Sequence, residues 1–228
     1  MSSNPVISTP TDSASALGAW ACRQRMRVSW ALGLAILGLL AFFGHSWSQD
    51  HWLDGVLEAT GLICLILCTV GRIWASVHIN GRKDRELVTD GPYSMVRNPL
   101  YVFSAIGALG FGLASENLAV LALLLLAFAL YYPLVVRGEE EVLAGLFPDS
   151  FPAYAARVRR FLPRPSLFRE NAIVPVDARR FRRSLMDATV FPWLYLLLQG
   201  LEWLHGAGVC CPPCFWCLRG RHAGKYAY

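Results

Sequence analysis

Two short polar stretches stand out in an otherwise apolar chain: GPYSMVRNPLY at 91–101 and RGEEE at 137–141. Together they supply a guanidinium (Arg97), an amide (Asn98), two phenols (Tyr93, Tyr101) and paired carboxylates (Glu139, Glu140). Arginine pairs a carboxylate through parallel N–H bonds, carboxylates accept from hydroxyl or ammonium groups, and a tyrosine ring packs on a flat or cationic group. The set can bind a small polar ligand, or Arg97 and a glutamate can simply neutralise each other. Carboxylates at a membrane boundary are costly unless paired or used, so the depth of these residues matters.

The elements that must position them are membrane-length helices. Hydrophobic residues make up 55% of the chain and charged residues only 16%, against about 25% charged in a soluble domain. Four apolar runs, at 28–44, 52–77, 98–114 and 118–136, read as transmembrane helices of an all-α polytopic membrane protein. A run of about 17 residues at 1.5 Å per residue spans roughly 25 Å, close to a hydrocarbon core. All 21 Lys and Arg residues fall before 28, within 72–97, within 137–183 or after 218. The turns 45–50 and 115–117 have none, which places those turns outside and the first three basic patches in the cytoplasm. Only Ser115-Glu116-Asn117 separates the third and fourth runs, so they must form an antiparallel hairpin. Arg97 and Asn98 at one end then face Arg137, Glu139 and Glu140 at the other, beneath a lid from 141–163.

ELVTDGPYSMVRNPLY (86–101) and EEEVLAGLFPDSFPAYAARVRRFLP (139–163) are similar to paired motifs of the isoprenylcysteine carboxyl methyltransferase-like family of membrane methyltransferases. That family carries LVxxGxYxxxRHPxY and then EExxLxxxFGxxYxxYxxxVxRFxP, one hairpin apart. The resemblance covers roughly 70–163. It implies a cytoplasmic S-adenosylmethionine (SAM) pocket made by the loop, the hairpin ends and a capping C-terminal helical segment. It also implies cofactor contacts at His78, Leu87, Val88, Tyr93, Arg97, Asn98, Pro99, Leu100, Tyr101, Glu139 and Glu140, with Arg97, Asn98 and Glu140 as catalytic candidates. Asn98 stands where eukaryotic members commonly have histidine, which keeps a donor and an acceptor but loses titration near neutrality. Methyl transfer is an in-line displacement from an activated donor, so the protein mainly positions the acceptor. With no evident dedicated base, carboxyl O-methylation of a lipidic or small membrane-accessible acceptor is favoured over phospholipid or amine N-methylation. Two further readings are an NADPH-dependent membrane reductase of the steroid-reductase kind and a non-enzymatic membrane scaffold. Against the reductase, acids rather than a phosphate-binding cluster occupy the hairpin end.

The remaining chain divides into a Ser/Thr/Pro-rich tail (1–22), the methyltransferase domain (23–163), a basic membrane-surface linker (164–188) and a C-terminal apolar helix with a cysteine-rich tail (189–228). Residues 190–205 can span the bilayer or lie in its interface. RRFRR (179–183) suits anionic lipid head groups. Cys210, Cys211, Cys214 and Cys217 lack the paired spacing of a zinc cage, and palmitoylation or disulfides suit them better, so no metal is expected. Cys64 and Cys68 read as packing residues, Asp54 and Glu58 as interface carboxylates, and Gly107, Gly110 and Gly112 as a close helix contact. The expected partners are the bilayer and the methyl acceptor, not nucleic acid, because no basic platform is interleaved with aromatics. Composition suggests a bacterial inner membrane.

Overall fold

A computed structural model describes residues 51–83 and 85–206, with Gln24, Arg27, Val28, residues 31–36 and Gly38 before them. Among the described residues the regular structure is entirely helical. From residue 51 the elements are α1 (His51–Ile79), α2 (Pro92–Met95), α3 (Pro99–Ala114), α4 (Leu118–Leu130), α5 (Tyr132–Leu146), α6 (Phe151–Arg157), a 3-10 turn (Pro165–Leu167), α7 (Ala178–Ala188) and α8 (Val190–Gly206). Two stretches, Gly55–Ile79 and the combined α4–α5 run Leu118–Leu146, are long and apolar enough to cross a membrane. Leu62, Ile63, Ile66, Leu67 and Val70 along α1 are each between 39% and 60% exposed. So long an apolar band has no place in water. The chain is an integral membrane protein.

Local chemistry sets the helix ends. Pro99 opens α3 and Pro133 lies in the first turn of α5, positions where a missing N–H costs nothing. Asn117 caps α4, its Oδ1 accepting from Ala119 N at 3.0 Å and Val120 N at 3.2 Å. The turn 115–117 folds α3 back against α4, as its length demands. The fourth apolar run breaks at Tyr131 into α4 and α5, and α5 carries Glu139 and Glu140 out of the bundle.

α1 and α3 pack backbone to backbone. A Cβ on Gly110 would lie 2.7 Å from both Cys64 Cβ and Gly61 O. Gly110→Val is therefore expected to lower stability by about 1–3 kcal/mol through overpacking, read as an earlier thermal transition in detergent. An unchanged transition would refute so close a contact. Leu65, Ala108, Phe111, Val120, Leu124 and Leu198 join α1, α3, α4 and α8 in one apolar core, with Ile36 packed into it.

α8 lies antiparallel along α1. Phe191, at its start, faces Arg72. Farther on, Glu58 accepts from Tyr195 Oη at 2.9 Å and Gln199 Nε2 at 2.7 Å. Gln199 and Glu58, polar intrusions in apolar sequence, satisfy each other. The linker 164–188 contains a helix, α7, capped by Asp177, whose Oδ1 accepts from Arg179 N at 2.9 Å and Arg180 N at 3.1 Å. The backbone bond from Arg180, with help from the neighbouring arginines, holds the Asp177 carboxyl below its ordinary range. Asn80 Nδ2 donates to Ser184 Oγ at 3.1 Å and Asn80 O accepts from Asp177 N at 3.3 Å, which fixes α7 to the end of α1. The expected tail 1–22, most of the run 28–44 and the cysteine cluster 210–217 lie outside the described residues.

Candidate functional site

The loop between α1 and α3 is shaped by Gly91, whose φ of 57° and ψ of −134° suit glycine alone. A Cβ there would overlap the ring of His78. A strap from 159 to 171 runs along this loop and supplies its backbone partners. Gly91 N donates to Arg169 O at 2.6 Å, Arg97 N to Arg159 O at 2.9 Å, and Arg164 N to Met95 O at 3.0 Å. Ser94 Oγ donates to Gly91 O at 2.6 Å and accepts from Arg169 N at 3.0 Å. Tyr154 of α6 closes the other side, its hydroxyl donating to Tyr93 O at 2.8 Å.

Glu140 sits at the centre of this end and is 7% exposed. Its Oε1 accepts from Asn98 Nδ2 at 3.1 Å and lies 3.3 Å from Arg97 Nε. Its Oε2 accepts from Arg160 Nε at 2.9 Å and Nη2 at 2.6 Å. Both oxygens are therefore engaged. Glu139 accepts from Tyr101 Oη at 2.9 Å. Leu87 packs with Phe151 and Tyr154 of α6 and with Val158 just after it, whereas Val88, Leu100 and Tyr93 share a cluster with Ala75. Pro99 is buried at the start of α3. His78 is also buried, with Nδ1 3.0 Å from Trp74 O and Nε2 3.9 Å from Glu170. The hairpin thus brings Arg97, Asn98, Tyr101, Glu139 and Glu140 to one end, with Tyr93 roofed by Tyr154. His78 belongs to the Gly91 side of the loop.

One expected neighbour is corrected. Arg137 is exposed and forms no ion pair there, although Glu140, one turn on, is buried. Arg160 takes that place. Arg160 lies in the distal motif, but nothing in the sequence alone sets it, rather than Arg137, against Glu140.

Tyr93 Oη, Arg97 Nε, His78 Nε2 and Arg72 Nε are buried without a hydrogen-bond partner. Arg97 Nε is close enough to Glu140 for an ion pair, but its N–H is not aimed at the carboxylate. A buried polar group left unsatisfied costs about 1–3 kcal/mol, so each of these atoms has hydrogen-bonding capacity that the fold leaves unused. Burial pushes the phenols of Tyr93 and Tyr154 far above their ordinary range. The neighbouring Tyr154 and Glu139 push Tyr93 further up, whereas Arg97 partly opposes the effect at Tyr154. Both stay neutral at working pH, so neither can act as a base. Among the described residues no group of three or more His, Cys, Asp or Glu side chains could hold a metal ion.

The model of the phospholipid methyltransferase family matches residues 59–150, which contain α1, the Gly91 loop, the hairpin and both glutamates. The chain belongs to the isoprenylcysteine carboxyl methyltransferase-like family of membrane methyltransferases. Part of it is similar to the protein-S-isoprenylcysteine O-methyltransferase of Schizosaccharomyces pombe, at 31% identity over 114 residues, 46% of this chain and 48% of that one. Longer matches have other names. The cobalt-zinc-cadmium resistance protein CzcN of Cupriavidus metallidurans is 40% identical over 202 residues, 89% of this chain and 93% of its own. The nickel-cobalt-cadmium resistance protein NccN of Alcaligenes xylosoxydans xylosoxydans is 38% identical over the same length, 89% of this chain and 92% of its own. No solved structure matches the chain at a significant level.

Proposed function

We propose that the chain is a SAM-dependent methyltransferase acting on a lipidic or small membrane-accessible acceptor, with carboxyl O-methylation favoured over phospholipid or amine N-methylation. Its spans are 28–44, α1, α3 and the α4–α5 run, with α8 beside them, and the Gly91 loop faces the cytoplasm, in a bacterial inner membrane. The observation that carries the reading is that the family's own motif brings unsatisfied donors on Tyr93 and Arg97 to the end of the bundle that also holds the Glu139 carboxylate.

These residues fit the cofactor's charges. When bound, SAM supplies an activated methyl group on a cationic sulfonium. Arg97 offers its Nε edge to a carboxylate, and Glu139 is an acceptor for hydroxyl or ammonium groups. Tyr93 contributes a hydroxyl donor and an aromatic face beside Val88 and Leu100. Asn98 and Arg160 hold Glu140, which in turn holds Arg97, so Glu140 is a positioning residue rather than a group that touches the methyl acceptor. His78, Leu87 and Pro99 shape the loop around them.

Tyr93→Phe separates binding from folding. Removing a hydroxyl with no partner is expected to leave stability level or slightly raised, because an unsatisfied buried group costs about 1–3 kcal/mol. It should weaken SAM binding about tenfold, the loss of one good hydrogen bond. A stability loss with unchanged binding would show that the hydroxyl serves the fold. The reaction itself is tested by incubating purified protein and bacterial lipid extract with methyl-labelled SAM. Label in an alkali-labile lipid fraction, absent with Glu139→Gln, supports carboxyl methylation; label stable to alkali points to N-methylation. No transfer to any fraction argues against the enzyme.

The long matches to CzcN and NccN favour a related reading of biological role, in which methylation of a membrane component supports metal tolerance. Growth in cobalt, zinc or cadmium should then fail equally when the gene is deleted and when it carries Glu139→Gln. Full tolerance with the variant would detach the role from the chemistry.

A further inference from the structure

Arg72 lies inside the apolar span Gly55–Ile79 of α1, below the site just described. Its Nη1 donates to Ser104 Oγ, and Ser104 donates onward to Leu100 O at 2.8 Å. The guanidinium carbon sits 5.7 Å from the centre of the Phe191 ring. Among the described residues no carboxylate lies within ion-pair distance of it. Its Nε is buried and has no hydrogen-bond partner. A hydroxyl and a ring face are poor compensation for a whole charge in an apolar span, where arginine persists when it is paired or used. The other cations of this end behave differently: Arg82 has Asp90, and Arg97 and Arg160 have Glu140.

We propose that Arg72 is the docking point for a monoanionic head group carried on an apolar chain, with Ser104 holding the guanidinium in place. The charge count sets the valence, since one cation balances a single negative charge. Nε and Nη2 form a flat two-donor edge, which suits a carboxylate or a phosphodiester. An apolar chain suits the position, because Arg72 lies inside the apolar span Gly55–Ile79, along which Ile66, Leu67 and Val70 are exposed. The position is also tied to the cofactor side, because Ser104, which meets Arg72, bonds back to Leu100 O, and Leu100 packs in the cluster that holds Tyr93. The assignment rests on the methyltransferase reading only in calling this anion the acceptor; the anion site stands on Arg72 itself.

The test uses the full chain in neutral detergent, with binding of palmitate, phosphatidylglycerol and methyl palmitate followed by native mass spectrometry. Wild type should hold palmitate or phosphatidylglycerol at least about tenfold more tightly than the neutral ester, the size of one charge-assisted pair. Whichever of the two anions binds better identifies the head group. Arg72→Gln should erase the preference, Ser104→Ala should reduce it, and Arg72→Lys, which keeps the charge, should retain part of it. Equal binding of anions and ester by wild type, or a preference that survives Arg72→Gln, overturns the proposal. SAM binding measured beside it keeps the two readings apart. An anion preference lost in Arg72→Gln while SAM binding persists assigns the effect to Arg72. Failure of wild type to bind SAM would sink the cofactor reading and leave the anion result to stand by itself.

Discussion

Glu140→Ala is expected to destabilise the protein by roughly 3–5 kcal/mol and to abolish cofactor binding, whereas Glu139→Gln should abolish binding with little change in stability. The difference follows from what each carboxylate touches. Glu140 is buried and satisfies Asn98, Arg97 and Arg160 from the start of α3 and the strap. Removing it leaves two guanidinium groups facing each other with no anion between them. Arg160 is partly exposed and can turn toward water, which limits its share of the loss. Glu139 accepts from the Tyr101 hydroxyl at 2.9 Å, and a glutamine carbonyl can accept the same bond. The Tyr101 bond can therefore outlast the loss of the negative charge. Thermal unfolding of both variants in one detergent checks the claim. Equal stability losses would mean that Glu139 is as structural as its neighbour.

Gly91→Ala should cost at least about 2 kcal/mol, since the backbone conformation alone carries about 1–3 kcal/mol of strain for any residue with a Cβ. The new methyl would also overlap the His78 ring. Its effect should reach the site, because Gly91 N and Ser94 tie the loop to Arg169 of the strap. Adding His78→Ala relieves the overlap but not the backbone strain, so the double variant should recover only part of the loss. Full recovery would show that crowding, not φ, decides the position. A Gly91→Ala protein as stable as wild type would contradict the loop geometry.

Much of the hairpin was legible because its constraints are local. A three-residue turn between apolar runs leaves no topology but an antiparallel pair, and that pairing alone puts Asn98 beside Glu140. The choice of Arg160 over Arg137 was not legible. It depends on the rotation of α5, which is set by burying Val135 and Val136, and on a strap that returns from residues beyond 150. Gly91 precedes Pro92, a pair common in turns. Only the fold shows that His78, thirteen residues earlier, occupies the space a side chain would need. The basic run 179–183 was visible as charge, but its anchoring through Asn80 and Ser184 joins residues too far apart in sequence for any periodicity to reveal. Glu58 read as an interface carboxylate, and only the fold shows that Tyr195 and Gln199 donate to it.

The central claim is that the end of the bundle holding Tyr93, Arg97 and Glu139 is a SAM site. Titration calorimetry of SAM into the detergent-purified chain tests it most directly, with Glu139→Gln and Tyr93→Phe alongside and NADPH as the competing ligand. Micromolar SAM binding by wild type, absent with Glu139→Gln and weakened with Tyr93→Phe, with no heat from NADPH, is the predicted result. No SAM binding by folded wild type, or affinity unmoved by Glu139→Gln, would contradict it.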